Sequence, residues 1–327
     1  MKEKEAICIV APRRGMGDCI SFFAFFKTIA KLTKKKIILI THHNTSAKEI
    51  FKSQNIFKEI IYLDKIKKSF IHNIWSYLKF FQLLNSLKKQ SINEIIILHQ
   101  SIKYVLLSRL LGFNLVEAPG QKFQRFFLKK NRVYKSYFSK VLHPRDESEI
   151  LIKNFFNINK IEDNHFISAK QKNKSFIAIG VAASGYEKFW GFDNYVKTIN
   201  YLYQVGFRKF LLLSGKDQVL LEKKICSSFA NKSIFFIKTS NLGLGKIIKH
   251  LKSAKLYVGN DTGFSHLAVS YQIPSIILHG DCPPHSYSKF IYPILGKNNI
   301  FSPTAIRTIT FSQVRKKIKY LIDKFYM

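Results

Sequence analysis

The sequence predicts an α/β protein built from two open, parallel-sheet domains, and three observations carry that reading. Short apolar runs alternate with longer amphipathic stretches, as strands do when crossover helices join them. The chain has 327 residues and 46% hydrophobic content, enough for one large domain or two of ordinary size. The apolar runs also fall into two series, separated by a polar Lys/Asn-rich stretch at 157–174.

In the first series the candidate strands are Ala6–Val10, Ile37–Thr41, Ile60–Leu63, Ile95–His99 and Leu115–Ala118. A helix over Ile20–Leu32 follows the first of them. Lys65–Lys89 carries a wide apolar stripe: Phe70, Ile74, Trp75, Tyr77, Leu78, Phe80, Phe81, Leu83, Leu84 and Leu87. Packing on a sheet explains most of such a stripe, and binding at a membrane interface is the lesser reading. The second series reads Phe176–Val181, Phe210–Ser214, Ser233–Ile237, Leu256–Val258 and Ser275–Leu278. We therefore expect domains at 1–165 and 166–327, with a last helix at about 311–325 that could pack back on the first domain. Two Rossmann-like sheets facing a cleft bind ligands at their carboxyl ends.

The charge is extreme: 54 Lys+Arg against 20 Asp+Glu give +34, so phosphate-rich or otherwise anionic partners are expected. Residues 119–145 contain Lys122, Arg125, Lys129, Lys130, Arg132, Lys135, Lys140 and Arg145 with no acid, interleaved with aromatics. That segment suits an acidic acceptor or an anionic membrane surface; its bland reading is a solvated lysine-rich face. A nucleic-acid binder is permitted by the charge, but no reading motif is present. The four cysteines form no C-x-x-C pair, which suits reduced thiols in a cytoplasmic protein. Neither a secretory leader core nor a run of about 18 uncharged apolar residues is seen.

Three loops carry chemistry. Arg13-Arg14-Gly15-Met16-Gly17-Asp18 ends the first strand, and Ile20 breaks the dinucleotide fingerprint, which disfavours a dehydrogenase. Asp18 would sit at a helix head, as a base for a hydroxyl nucleophile or as a helix cap. Asp261-Thr262-Gly263-Phe264-Ser265-His266 follows a strand and opens a helix. There the Thr262, Gly263 and Phe264 amides would bind a diphosphate, with the Thr262 and Ser265 hydroxyls as further donors. Asp261 would cap the helix or orient the donor sugar, and His266 would contact ligand or brace the turn. The third loop, Ser184-Gly185-Tyr186-Glu187-Lys188-Phe189-Trp190, offers Lys188 to a phosphate, with Ser184 beside it. After the strand 210–214, Asp217 and the more distant Glu222 are carboxylates for the ribose or base, or plain helix surface.

These motifs resemble glycosyltransferase family 9, the lipopolysaccharide heptosyltransferases, over nearly the whole chain. Gly17-Asp18 is similar to the family's Gly-Asp, whose Asp is the proposed base. Lys188-Phe189-Trp190 is similar to its Lys-Arg-Trp-Pro, and Asp261–Ala268 to its Asp-Thr-Gly-Leu-Ser-His motif. The resemblance implies a glycosyltransferase B fold and an inverting, metal-independent transfer from a nucleotide-diphosphate sugar, ADP-heptose in the best-known members. The acceptor it implies is an anionic, lipid-linked core saccharide, reached from the cytoplasmic face of the inner membrane. Lys188, Ser184, Gly185, Asp217, Asp261, Thr262, Gly263, Ser265 and His266 would serve the donor, with Arg13, Arg14, Lys122 and Arg125 on the acceptor. No cofactor is expected beyond the sugar nucleotide. The absence of a D-x-D pair agrees with metal independence, and Cys282 with His279 and His285 makes a weak metal set. The chain departs from the family at Gly191, where a proline is usual, and at His279-Gly280-Asp281-Cys282-Pro283-Pro284, usually Phe-Gly-Pro and Thr-Asp-Pro. A sugar-nucleotide epimerase or hydrolase of the same fold is the alternative enzyme.

Overall fold

The computed structural model describes residues 5–63, 70–128, 144–166, 174–183, 185, 188–280, 282–297, 302 and 304–326, the side chains of 70–74 and 122 excepted. The chain divides into two compact units, 1–163 and 164–327.

The first unit runs β1 Ala6–Val10, α1 Met16–Ser21, α2 Phe23–Thr33, β2 Lys36–His42, α3 Ala47–Ile50, β3 Phe57–Leu63, α4 Phe70–Lys89, β4 Glu94–Ile97, α5 Ile102–Leu110, β5 Leu115–Glu117 and α6 Pro144–Phe156. Its strands pair in parallel in the order β3-β2-β1-β4-β5. β1 is buried on both faces, which is why it reads as an unbroken apolar run. Phe80, Leu84 and Leu87 of α4 join Tyr104 and Val105 of α5 against one face of the sheet. A separate aromatic cluster sets Phe23 stacked on Phe51 at 5.3 Å, and Phe51 on Phe57 at 5.0 Å.

Two local differences from expectation have clear causes. The helix expected over Ile20–Leu32 is two helices that meet at Phe22, whose ψ of −6° turns the axis. In α4, Phe80, Leu84 and Leu87 are buried, while Trp75, Tyr77, Leu78 and Phe81 face solvent, with Trp75 59% exposed. The stripe is wider than one sheet can cover.

The second unit runs β6 Phe176–Gly180, α7 Phe192–Gln204, β7 Lys209–Leu213, α8 Val219–Ser227, β8 Phe235–Lys238, α9 Leu244–Lys252, β9 Ala254–Asn260, α10 Gly263–Ser270, β10 Ser275–His279, β11 Ile291–Leu295 and α11 Phe311–Tyr326. All six strands are parallel, in the order β11-β10-β9-β6-β7-β8. β11 has no counterpart in the sequence reading: Pro293 breaks its apolar run, and a proline is tolerated only because the strand lies at the sheet edge. α11, expected as able to fold back on the first domain, places Val314, Ile318, Leu321 and Ile322 in the core of its own unit. There it packs with Tyr195, Ile199 and Leu202 of α7.

Candidate functional site

In the second unit the loops after β6 and β9 leave neighbouring strands side by side. The Tyr195 hydroxyl donates to Asn260 Oδ1 at 2.7 Å, and Asn260 Nδ2 donates to the Ala182 carbonyl at 2.9 Å, which ties the two loops together. Trp190 is buried beneath the first loop and donates to the Ile309 carbonyl at 2.8 Å. Lys188, half-buried, closes a turn with its amide on the Gly185 carbonyl at 3.1 Å. Gly191 then takes φ 113°, a backbone that proline, fixed near −65°, cannot adopt; the missing family proline is thus built into this loop. Ser184 lies outside the described residues.

α10 begins where β9 ends. Ser265 is fully buried, and its hydroxyl donates to the Thr262 carbonyl at 2.7 Å while accepting from the Thr262 amide at 3.2 Å. Ser265 therefore closes the turn and the Thr262 amide is spent on it, in place of the ligand contact expected of both. The amides of Gly263 and Phe264 remain at the open helix N-terminus. Thr262 is the N-cap of α10 and forms a capping box with Ser265.

His266 is used inside the turn as well: its Nε2 faces Asp261 Oδ1 at 3.3 Å and its Nδ1 pairs with the Tyr287 hydroxyl at 2.6 Å. Of the two roles open to it, bracing is the one the geometry favours. Burial works against a charged Asp261, but the flanking imidazoles of His266 and His279 more than offset it and hold the carboxyl well below its usual range. Cys282 Sγ lies 3.3 Å from Asp261 Oδ2.

The two carboxylates after β7 differ in kind. Asp217 is exposed on the loop before α8, while Glu222 is buried and accepts from the Thr239 amide at 2.8 Å, the Ser240 amide at 3.1 Å and the hydroxyls of Ser214 and Ser240. Glu222 clamps the ends of β7 and β8, and is not the plain helix surface that its sequence position allowed.

In the first unit Asp18 is exposed in the first turn of α1, over Gly15. Gly15 is the N-cap of this helix, and Asp18 is the acidic residue of its first turn. Arg13 is turned inward: it donates to the Leu98 carbonyl and lies 3.8 Å above the Phe22 ring. Burial lowers its pKa to about 10, against the pull of Asp18, Cys19 and Glu147. Arg14 is exposed. Arg125 is exposed, 4.9 Å from the Phe126 ring, while residues 129–143 of the basic segment lie outside the described residues, as does the Lys122 side chain.

Sequence reasoning missed a cluster of basic side chains at the carboxyl end of this sheet. His42 at the end of β2, His99 beyond β4 and Lys103 in the first turn of α5 come together, and His42 and Lys103 line a cavity of about 230 Å³ with Tyr62, Ser76, Lys79 and Tyr104. Burial, then the charges of Arg13, Lys103, His42 and Arg14, push His99 down to about 4. The available signal was position: each of these residues follows a strand end, where open α/β sheets bind ligands.

Comparison with known proteins places this geometry. No curated protein matches the chain. Among solved structures, a family 9 glycosyltransferase from Veillonella parvula aligns with TM-score 0.74 and 15% identity, covering 99% of both chains. The E. coli ADP-heptose lipopolysaccharide heptosyltransferase II aligns with TM-score 0.74 at 14% identity over 97% of this chain and 99% of its own. The E. coli heptosyltransferase WaaC, solved with ADP-2-deoxy-2-fluoro heptose, aligns with TM-score 0.73 at 18% identity over 96% and 99%. The two-domain fold is thus the glycosyltransferase B type. The sequence model of glycosyltransferase family 9 (heptosyltransferase) matches residues 81–320, most of the chain, and the protein belongs to that family as a glycosyltransferase of the heptosyltransferase type.

Proposed function

We propose that the protein transfers a heptose from ADP-heptose, with inversion, to an anionic lipid-linked saccharide such as the lipopolysaccharide core, working peripherally at the cytoplasmic face of the inner membrane. The observation that carries this reading is the helix N-terminus of α10 directly after β9, with its Gly263 and Phe264 amides as an anion seat. The fold shared with a heptosyltransferase solved with an ADP-heptose analogue supports the choice of donor.

Asp18 removes the proton from the acceptor hydroxyl as its oxygen attacks the anomeric carbon from the face opposite the diphosphate. The bond from that carbon to the β-phosphate oxygen breaks, and ADP departs. Charge develops on the β-phosphate, where Lys188 and the α10 amides stabilise it more strongly than in the ground state. These positive groups take the place of a hard cation such as Mg²⁺ on the diphosphate. Asp217, Ser184 and Gly185 border the donor, and Asp261 orients it from beneath the turn. In the first unit Arg14, Lys103 and Arg125, with Lys122, draw the acceptor's phosphates and carboxylates. Exposed Trp75, Leu78 and Phe81 of α4, with Phe123 and Phe126, support direct contact with the membrane surface.

Thermal unfolding with ADP, UDP, GDP and CMP, with and without Mg²⁺, tests the donor site. ADP at about 100 times its Kd should stabilise by about 2.7 kcal/mol, selectively and without metal. Lys188→Ala should weaken ADP binding about tenfold or more, the loss of one charge-assisted bond. No shift with any nucleotide would overturn the donor assignment.

A further inference from the structure

His279 closes β10 at 1% exposure; its Nε2 has no hydrogen-bond partner among the described residues, and its Nδ1 makes none of ordinary length. Buried imidazoles are normally paired, so this one calls for an explanation. Its Nδ1 faces Asp261 Oδ2 at 3.4 Å, an ion-pair distance longer than an ordinary hydrogen bond. Cys282 Sγ lies 3.3 Å from the same oxygen. The thiol can donate to the carboxylate, which accounts for those two groups but leaves the imidazole unsatisfied.

An ion accounts for all three. Nitrogen, sulfur and oxygen bound to tetrahedral Zn²⁺ at about 2.0–2.3 Å stand about 3.4–3.6 Å from one another. Both separations measured to Oδ2 are close to that, and the three ligand atoms all lie within 4.8 Å of one another. We infer that Asp261, His279 and Cys282 bind one borderline-soft divalent ion of the Zn²⁺ type, with the fourth position open to water.

The surroundings suit such an ion. His266 holds the other Asp261 oxygen at 3.3 Å and is itself fixed by Tyr287, so the carboxylate is oriented from behind. The His285 ring packs 6.5 Å from that of His279, centroid to centroid, within the same pocket of side chains. The thiolate selects against Mg²⁺ and Ca²⁺, so this site is distinct from any cation on the diphosphate. Because β9 and β10 are neighbours, the ion would pin the turns that follow them. The thiol gives up its proton on binding, and no redox step is involved.

The test uses the full chain, stripped by chelator and dialysed, with no nucleotide present. Titration with Zn²⁺ against a chromophoric chelator should find one equivalent bound and a rise in Tm. Co²⁺ should give a near-ultraviolet thiolate-to-cobalt band. Cys282→Ser should abolish that band, and Cys282→Ser and His279→Gln should each weaken Zn²⁺ about 100-fold or more. Replacing the exposed His43 by Ala should change neither. Failure of the unmodified protein to bind Zn²⁺ or show the cobalt band overturns the inference, as does equal binding by the variants. ADP stabilisation of the metal-free protein is read separately, so failure here leaves the donor reading standing, and the reverse.

Discussion

Asp18 and His99 show what single side chains do here. Asp18 sits exposed in the first turn of α1, so a change there should leave folding alone and, under the proposed mechanism, strike the proton transfer. Asp18→Asn should lower kcat about 10²–10⁴-fold while the ADP-induced thermal shift is preserved. Single-turnover kinetics with donor and acceptor would check it, and normal turnover would remove Asp18 as the base. His99 acts on stability instead. Its folded pKa, about 4, lies below its ordinary 6.5, so between those values the unfolded chain binds a proton that the folded one refuses. Stability from this residue is therefore full above pH 6.5 and declines toward pH 4, by up to about 3 kcal/mol. Asp261 titrates lower and loses its contribution only as pH falls through and below the ordinary carboxylate range. Urea midpoints measured between about pH 7 and pH 5 should fall in the unmodified protein and flatten in His99→Asn, whose amide oxygen can still accept from the Ser101 amide.

At the scale of elements, the turns after β6 and β9 depend on how closely these two strands approach. Gly180 and Gly259 are register partners, and a Cβ on Gly259 would collide with the Gly180 backbone, while one on Gly180 would strike the Tyr257 hydroxyl. That hydroxyl donates to the Asn260 carbonyl at 2.9 Å, just before the anion seat. Gly259→Ala should cost about 1–3 kcal/mol, as overpacking does. Gly245→Ala, in the first turn of α9 with open space around it, should instead stabilise by about 0.5–1 kcal/mol. Denaturant titration of both variants would check the contrast; equal effects would show that the strand approach is not tight. The same scale explains what the sequence hid. The apolar runs mark the central strands well because parallel strands covered on both faces tolerate little else, whereas β11 carries Pro293 within its run and lacks that signature.

For the whole molecule, charge and exposed aromatics act together. A net +34 with Trp75, Leu78 and Phe81 outward on α4 should bind anionic vesicles and release them as salt rises. Trp75→Ala should reduce the fraction bound at fixed salt, by about the transfer energy of one interfacial aromatic, ~1–3 kcal/mol. Vesicle sedimentation from low to high salt checks it; binding to neutral vesicles as strong as to anionic ones would contradict the electrostatic part. Among the described residues no helix is long and apolar enough to cross a membrane.

The sequence by itself determined the two-sheet α/β class, where most strands fall along the chain and the contiguous turn Asp261–His266, because apolar periodicity and turn chemistry are local properties. It could not assign roles inside that turn, where Ser265 and His266 are spent on bracing and Thr262 caps the helix with Ser265. Only the tertiary structure decided which distant residues meet. Glu222 reaches the ends of two strands, His42, His99 and Lys103 gather beyond β2 and β4, and Cys282 and His279 converge on Asp261. The physical reason is that parallel sheets collect the residues following each strand at one edge, so neighbours in the site are set by strand order in space and not by distance along the chain.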